Sequence, residues 1–232
     1  MIWDNKIATT LQWSSEISNR EQKEKVADKI AERVRSGDVI GVGSGSTSYL
    51  ALLAISRKVK EQKLDVLAIP TSHEVSLACS IVGLKTTTLQ NARPDWAFDG
   101  ADEVDPQKGL IKGRGGAMFA EKLVIKSSPE NYILVDSSKF VSYLGEKFAV
   151  PVEVDPRAIN LVENELLKLG AREIDLRLAK GKDGPIITEA GNLIVDVRFN
   201  KITSDFEKEI KAIPGVIESG LFIGYEVEIL TT

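Results

Sequence analysis

The sequence has one cysteine and one histidine among 232 residues, and this scarcity disfavours several kinds of chemistry. Cys79 has no second cysteine with which to form an internal disulfide, and its setting in SLACSIVGL is typical of a small buried residue in a reducing compartment. His73 is the single histidine, whereas catalytic metal sites usually combine histidine with several carboxylates. We therefore expect no metal centre, no catalytic role for Cys79, and a structural rather than a ligand-binding role for His73.

The sequence also lacks long apolar runs and a strong excess of charge of either sign. No stretch reaches the roughly 18 apolar residues of a transmembrane helix, and residues 1–20 carry charges where a signal peptide would be apolar. The formal net charge of -4 gives no overall attraction to nucleic acid or to anionic membranes. These absences predict a cytoplasmic protein whose partners include neither nucleic acid nor membrane. The role of residues 1–20, as a frayed extension or an oligomer contact, stays open.

The chain does contain a regular alternation of strand and helix patterns. Up to residue 146, apolar strands such as DVIGVG alternate with helical segments such as EQKEKVADKIAERV, which predicts a parallel sheet with helices on both faces. From Lys147 the order becomes strand, helix, strand, strand, helix, strand, which is typical of a ferredoxin-like unit. The later segment YEVEIL is expected to return to the first sheet. We predict an α/β protein with a Rossmann-like parallel-sheet domain at 1–146 and 221–232 and a smaller ferredoxin-like α+β domain at 147–220.

The stretch DGADEVDPQKGLIKGRGGAMFAEK, from Asp99 to Lys122, concentrates the residues that could carry chemistry. It follows DWAF, a short apolar run that is typical of the end of a buried strand. Asp99 and Asp102 are therefore expected just beyond the carboxyl end of that strand, where ligands bind in open α/β sheets. The segment lacks the alternating ligands and the Gly-x5-Glu ending of an EF-hand, so calcium is not the expected ligand.

The second half of this stretch combines a lysine and closely spaced glycines with a glutamate on a helix. The glycines let the backbone approach a ligand closely and leave N–H groups facing an anion at the start of the helix. Apolar neighbours predict that the helix is largely buried, and a buried Glu121 carboxylate suits a general base. Lys112 offers the positive charge that a developing oxyanion needs.

A second glycine-rich segment, GVGSGST at 41–47, stands between a predicted strand and a predicted helix. It has no lysine, so it is not a Walker loop, and Ser46 replaces the third glycine of the dinucleotide-binding pattern. Its hydroxyl groups and backbone amides suit a small phosphomonoester. The hydroxyl residues of this segment and of the position after it are Ser44, Ser46, Thr47 and Ser48.

Each of these motifs alone is often structural, because acidic clusters are commonly solvated loops and glycines commonly only make turns. Their combination is more informative, since the chain resembles the A-type ribose-5-phosphate isomerase family. The resemblance extends from Lys23 to the C-terminus. The motifs that carry it are DGADE at 99–103, KGRGGA at 112–117, EK at 121–122, GVGSGST at 41–47, DSSK at 136–139 and GKDGPIIT at 181–188.

The resemblance implies interconversion of ribose 5-phosphate and ribulose 5-phosphate without a metal or an organic cofactor. It implies that Glu121 is the general base and that Lys112 stabilises the enediolate. Asp99 and Asp102 are expected to hold the sugar hydroxyls, and the resemblance implies that Asp99 also assists ring opening. The residues expected to bind the phosphosugar are Ser44, Gly45, Ser46, Thr47, Gly113, Gly115, Gly116, Lys139 and Lys23. Lys25 is an alternative to Lys23, because it lies two positions away. A homodimer or a homotetramer is expected.

Two other functions remain open on the sequence. A phosphosugar-sensing regulator could use a related glycine loop, but no basic recognition helix is found in the first 40 residues. An acyl-transfer enzyme of the CoA-transferase type could use a glutamate nucleophile on a similar scaffold, although the linked DGADE and KGRGGA motifs argue against it. An assay with ribose 5-phosphate separates the three.

Overall fold

The computed structural model describes residues 16–232, and every structural statement below refers to that part of the chain. Its helices are α1 (Arg20–Ala31), α2 (Ser46–Gln62), α3 (His73–Val82), α4 (Met118–Ser127), α5 (Ile159–Lys168) and α6 (Phe206–Lys211). Its strands are β1 (Val39–Val42), β2 (Leu67–Pro70), β3 (Lys85–Thr86), β4 (Trp96–Gly100), β5 (Glu103–Val104), β6 (Leu110–Ile111), β7 (Asn131–Leu134), β8 (Val150–Val154), β9 (Ala171–Leu176), β10 (Leu193–Phe199), β11 (Val216–Ser219), β12 (Leu221–Phe222) and β13 (Glu228–Leu230).

Six parallel strands form the first sheet, in the order β3-β2-β1-β4-β7-β13. The central strands are short and mostly apolar, as expected where helices cover both faces of a sheet. Ile40 and Phe98 face a core shared with α1, α2 and α3, whereas Ile69 and Ala97 pack against Val124 of α4. The predicted Rossmann-like parallel sheet is confirmed.

The strand order of this sheet reverses between β1 and β4. The chain leaves β1 through α2 towards β2 on one side, and leaves β4 towards β7 on the other side. Such a switch point opens a crevice at the carboxyl ends of the two strands, where open α/β sheets bind ligands. Because β1 ends at Val42 and β4 at Gly100, the glycine loop and Asp99 both lie at this switch point.

The residues just before α1 are packed rather than frayed. Ile17 is buried in the core that α1 and α2 share, and Asn19 adopts the left-handed conformation (φ 51°) at the start of α1. Residues 16–19 therefore belong to the folded unit. The expectation for residues 1–15 lies outside the described residues.

An antiparallel sheet of four strands, in the order β11-β8-β10-β9, carries α5 and α6. Val162 and Leu166 of α5 lie four residues apart, on one side of the helix, and both are buried with Val152 and Ile210 in one core. Numbered along the chain, the order of these strands is 4-1-3-2, with one helix after the first strand and one after the third. The predicted ferredoxin-like unit is confirmed, and β13 returns to the first sheet as expected.

The sequence patterns did not predict the three-stranded antiparallel sheet of β5, β6 and β12. Two-residue strands carry too little periodicity to be recognised. The turn between β5 and β6 is held by Asp105, whose Oδ1 accepts the N–H groups of Gln107 at 2.9 Å and Gly109 at 2.7 Å. This hairpin brings Asp102, just before β5, beside Lys112, just after β6.

By compactness the described chain divides into two units. Unit 1 contains the residues up to Gly100 together with Ala120–Ser137 and Val227–Thr232, and unit 2 contains Ala101–Phe119 and Ser138–Glu226. The domain boundaries given above stay a prediction. In the part of the chain described here, no helix is both long enough and apolar enough to cross a membrane.

Candidate active site

The glycine loop of unit 1 presents the start of α2 at the switch point. Gly43 and Ser44 follow β1, and Gly45 precedes Ser46, the first residue of α2, with a φ of 92° that favours glycine. Gly45, the N-cap residue of α2, has no side chain with which to cap the N–H groups of the first turn. Unsatisfied N–H groups at a helix N-terminus attract anions, so this end of α2 suits a phosphate group.

Asp99 is packed directly against this loop. Its residue exposure is 2%, and a Cβ added to Gly43 would lie 2.1 Å from the Asp99 Cγ, so only glycine fits at position 43. Asp99 Oδ1 accepts hydrogen bonds from the Gly100 N–H at 2.7 Å and from Ser48 Oγ at 3.4 Å. The expectation that Asp99 follows the strand was slightly wrong, because Asp99 is the penultimate residue of β4.

Glu121 is the fourth residue of α4 and is only 3% exposed. Ser44 Oγ donates a hydrogen bond to Glu121 Oε1 at 2.7 Å, which joins the carboxylate to the glycine loop. The prediction that α4 is buried on most sides was wrong, since Phe119 and Leu123 are exposed. The buried side nevertheless includes Glu121, as the general-base hypothesis requires.

Lys23 of α1 is buried beside the same loop. Its Nζ donates to Ser46 Oγ at 3.1 Å and lies 3.8 Å from Asp136 Oδ2. Lys25 is exposed and pairs with Glu21 at 2.7 Å. Of the two lysines that the sequence left open, Lys23 is therefore the one at the loop.

Asp136 is a polar neighbour of this site that the sequence did not identify as a site residue. Ser48 was noted among the hydroxyls of the glycine loop but was given no role. Asp136 follows β7, just as Asp99 lies at the end of β4, so the rule that ligands bind at the carboxyl ends of strands could have found it. Asn19 Nδ2 donates to Asp136 Oδ1 at 3.0 Å, and this bond links the start of α1 to the end of β7. Ser48 lies in the first turn of α2, and its contact with Asp99 depends on tertiary structure alone.

Unit 2 carries the remaining predicted residues. Lys112 is 3% exposed, its N–H donates to the Gly220 carbonyl at 2.9 Å, and its Nζ lies 5.5 Å from the centre of the Phe222 ring. The Asp102 N–H donates to the Ile111 carbonyl at 2.8 Å, which fixes Asp102 at the open end of the β5–β6 hairpin, across from Lys112. The structure thus brings Asp102 and Lys112 together within this unit.

The glycines after Lys112 form a tight turn. The Gly116 N–H donates to the Gly113 carbonyl at 3.0 Å, and the φ values of Gly113 and Gly116 are 91° and 81°. A Cβ on Gly116 would also lie 2.8 Å from Ile194 Cδ1, so the turn rests closely on β10. Lys139 ends a short 3-10 turn in which it is half-buried, with its Nζ 5.3 Å from the centre of the Phe148 ring.

Two residues that we expected to be non-catalytic have different surroundings. Cys79 is buried in the core of unit 1, and burial raises the pKa of its thiol to about 12, so the thiol is protonated at neutral pH. His73 is exposed at the start of α3. Across residues 16–232, the His, Cys, Asp and Glu side chains form no group of three that could hold a metal ion.

Comparison with known proteins decides between the functions that the sequence left open. Residues 67–232 match the family described as ribose 5-phosphate isomerase A (phosphoriboisomerase A). The chain belongs to the ribose 5-phosphate isomerase A family. This membership favours an isomerase over a phosphosugar-sensing regulator or a CoA-transferase.

Individual members of the ribose 5-phosphate isomerase A family match most of the chain. The relative from Synechococcus sp. is 46% identical over 206 residues, which are 87% of this chain and 88% of the relative. The structure of ribose 5-phosphate isomerase A from Methanocaldococcus jannaschii matches with a TM-score of 0.89 at 41% identity, over 93% of this chain and 98% of that one. A D-ribose-5-phosphate isomerase in complex with phospho-erythronic acid matches with a TM-score of 0.88 at 36% identity, over 92% and 95%.

Proposed function

We propose that this protein interconverts ribose 5-phosphate and ribulose 5-phosphate through an enediolate, with Glu121 as the general base. The observation that carries the proposal is the 2.7 Å hydrogen bond from Ser44 Oγ to Glu121 Oε1. It places a buried carboxylate next to a glycine loop that is suited to a phosphate. Such a pair of groups can hold a phosphosugar at one end and move a proton at the other.

The phosphate group is assigned to the loop and to the start of α2. Backbone N–H groups at Gly45, Ser46 and Thr47 and the hydroxyls of Ser44, Ser46 and Thr47 supply donors. Lys23 supplies a positive charge and already contacts Ser46. Lys139 is assigned to the phosphate on family resemblance.

The reacting end of the sugar is assigned to three carboxylates and to Lys112. Glu121 takes the proton from one carbon and returns it to the neighbouring carbon. Lys112 and the N–H groups of the turn at 113–116, which contains Gly113, Gly115 and Gly116, stabilise the oxygen charge that develops between these two steps. Asp99 assists ring opening, and Asp102 binds sugar hydroxyls.

Replacing Thr47 with valine tests the phosphate site. Thr47 is buried in the first turn of α2, and valine keeps its shape while removing the hydroxyl. A hydrogen bond to a charged group contributes about 1.5 to 3 kcal/mol, and the phosphate binds alike in the ground and transition states. We therefore expect Thr47→Val to raise KM about 10- to 100-fold with little change in kcat. An unchanged KM removes Thr47 from the site, and Thr86→Val on the exposed strand β3 is the matched control.

Treatment with a chelator tests the assignment of charge stabilisation to Lys112 and the backbone. Because the proposed steps use only protein groups, we expect full activity after exhaustive dialysis against EDTA. The measurement is the initial rate of ribulose 5-phosphate formation before and after dialysis. Activity that is lost and then restored by a single divalent cation contradicts the assignment.

We also infer a cytoplasmic homo-oligomer, a dimer or a tetramer, with the phosphosugar as its ligand and without nucleic acid or membrane partners. The formal net charge of -4 supports the absence of nucleic acid, and the single buried cysteine supports a reducing compartment. Light scattering coupled to size-exclusion chromatography measures the number of subunits. A monomer at micromolar concentration contradicts the oligomer.

A further inference from the structure

The glycine turn at 113–116 is held by an arginine that lies more than 60 residues later in the sequence. Arg177 Nη1 donates a hydrogen bond to the Gly113 carbonyl at 3.0 Å and another to the Arg114 carbonyl at 2.9 Å. Both contacts lie within unit 2. One guanidinium nitrogen therefore fixes two consecutive peptide groups of the turn.

Arg177 is itself held in a single orientation. Its Nε donates to Asp196 Oδ2 at 2.8 Å, and its Nη2 bonds the other oxygen of the same carboxylate. The backbone N–H of Arg177 donates to the Ile194 carbonyl at 2.9 Å, and its backbone carbonyl accepts the Ile186 N–H at 2.9 Å. The side chain is only 14% exposed, so the guanidinium is fixed against Asp196 of β10 rather than mobile at the surface.

Because each peptide group is rigid, the contacts of Arg177 with the two carbonyls also set the direction of the N–H groups in the turn. In a planar trans peptide the C=O and the N–H point to opposite sides. Because the carbonyls of Gly113 and Arg114 point at Arg177, the N–H groups of Arg114 and Gly115 point away from it. The Gly116 N–H closes the turn onto Gly113. Two successive N–H groups that point the same way form a concavity that attracts anions.

We propose that Arg177 is a positioning residue for catalysis, which aims the N–H groups of Arg114 and Gly115 at the oxygen charge of the enediolate. Asp196 completes the arrangement by fixing the guanidinium. This inference rests on the proposed function, since it names what holds the turn that stabilises the enediolate. Arg177 contacts only the far side of the turn in this assignment and does not bind the substrate.

The proposal depends on the shape of the guanidinium as well as on its charge. A lysine at position 177 keeps the positive charge but offers a single compact ammonium group, which cannot bridge two carbonyls and a carboxylate in one plane. Arg177→Lys should therefore behave much more like Arg177→Ala than like the parent protein. Full activity in Arg177→Lys rejects the proposed geometry.

The experiment compares Arg177→Ala, Arg177→Lys and Asp196→Asn with a control in the same sheet. The control is Arg198→Ala in β10, because Arg198 bonds Glu173 and the Lys147 carbonyl instead of the turn. Misplacing a catalytic group by about 1 Å can cost 10²-fold, so we expect kcat to fall roughly 10- to 100-fold in the Arg177 variants. KM should stay within about threefold, because the phosphate loop is untouched.

Binding measurements provide a second readout. Calorimetry should show a loss of affinity for phospho-erythronic acid that follows the loss of kcat/KM, with unchanged affinity for inorganic phosphate. A merely structural role would instead lower the unfolding temperature and leave kcat per folded molecule unchanged. Unchanged kcat in folded Arg177→Ala overturns the proposal.

A third readout separates this inference from the proposed function. If the parent protein does not isomerise ribose 5-phosphate, the proposed function is rejected. The role of Arg177 in holding the turn is then tested by hydrogen exchange at the Gly116 amide, whose bond to the Gly113 carbonyl closes the turn. Faster exchange in Arg177→Ala supports the inference that Arg177 holds the turn, and unchanged exchange overturns it.

Discussion

Glu121→Gln is expected to lower kcat for the isomerisation of ribose 5-phosphate by roughly 10³-fold, since general acid–base catalysis contributes about 10² to 10⁴. The amide keeps the shape of the carboxylate, and its oxygen can still accept the hydrogen bond from Ser44. It cannot take a proton at neutral pH. The variant should therefore fold and bind phosphosugar as the parent does. The measurement is the initial rate together with the exchange of the substrate C2 proton in D2O, and both should be lost.

Two comparisons make this result specific. Glu61→Gln removes a carboxylate at an exposed position of α2 and should leave kcat unchanged. Affinity for inorganic phosphate should be the same in the parent and in both variants. A kcat of Glu121→Gln within tenfold of the parent value contradicts the assignment of Glu121 as the base.

Replacing Lys112 has the second largest expected effect and separates two roles for its charge. If Lys112 stabilises the enediolate, its interaction strengthens as charge develops, and Lys112→Ala should lower kcat by about 10² to 10³, the loss typical of one oxyanion donor. If Lys112 only attracts the phosphorylated substrate, KM should rise with kcat nearly unchanged. We favour the first role because the loop at 41–47 already offers a phosphate site.

The burial of Lys112 requires a second variant. Truncation to alanine also removes the aliphatic stem of a side chain that is 3% exposed, and it leaves a cavity. Lys112→Met retains most of the stem beside Phe222 and removes only the charge. A similar loss of kcat in both variants assigns the effect to the charge. Lys182→Ala, at an exposed position of unit 2, is the control.

Ligand affinities decide between the two roles of Lys112. Phospho-erythronic acid carries a carboxylate that resembles the charge of the enediolate, whereas inorganic phosphate reports only on the phosphate site. In the Lys112 variants the affinity for phospho-erythronic acid should fall in parallel with kcat/KM. The affinity for inorganic phosphate should stay as in the parent protein. Equal loss of affinity for both ligands rejects the enediolate role.

Much of the fold and part of the candidate site were predictable, because their signals are local in sequence. An apolar strand, a glycine loop and a helix follow one another within 25 residues, and the structure keeps that order from β1 to α2. The ferredoxin-like unit could be predicted for the same reason, because the spacing of apolar residues within each segment indicates whether it is a strand or a helix. Burial of Glu121 was predictable from its apolar neighbours in α4, although the exposure of Phe119 and Leu123 was not.

The contacts that hold the site could not be predicted, because they join distant parts of the chain. Arg177 reaches the turn at 113–116 only after β9 and β10 have paired, and nothing near Arg177 in sequence indicates that contact. Lys23 and Lys25 face opposite sides of α1, and the spacing of Lys23 from Val26 and Ala27 could have identified it as the buried lysine. Its contact with Ser46 still depends on tertiary structure. The β5–β6 hairpin was missed because two-residue strands are defined by their pairing rather than by their composition.

The position of β13 has a consequence for the order in which the nascent chain can fold. β13 pairs with the outer edge of β7, yet the ribosome makes it only after the whole of β8 to β12. Until then, β7 presents an unpaired edge that could bind another strand. The parallel sheet is therefore completed late, through contacts that span about 100 residues of chain, and such non-local pairing slows folding. The ferredoxin-like strands, which are contiguous from β8 to β11, can pair while the first sheet is still open at that edge.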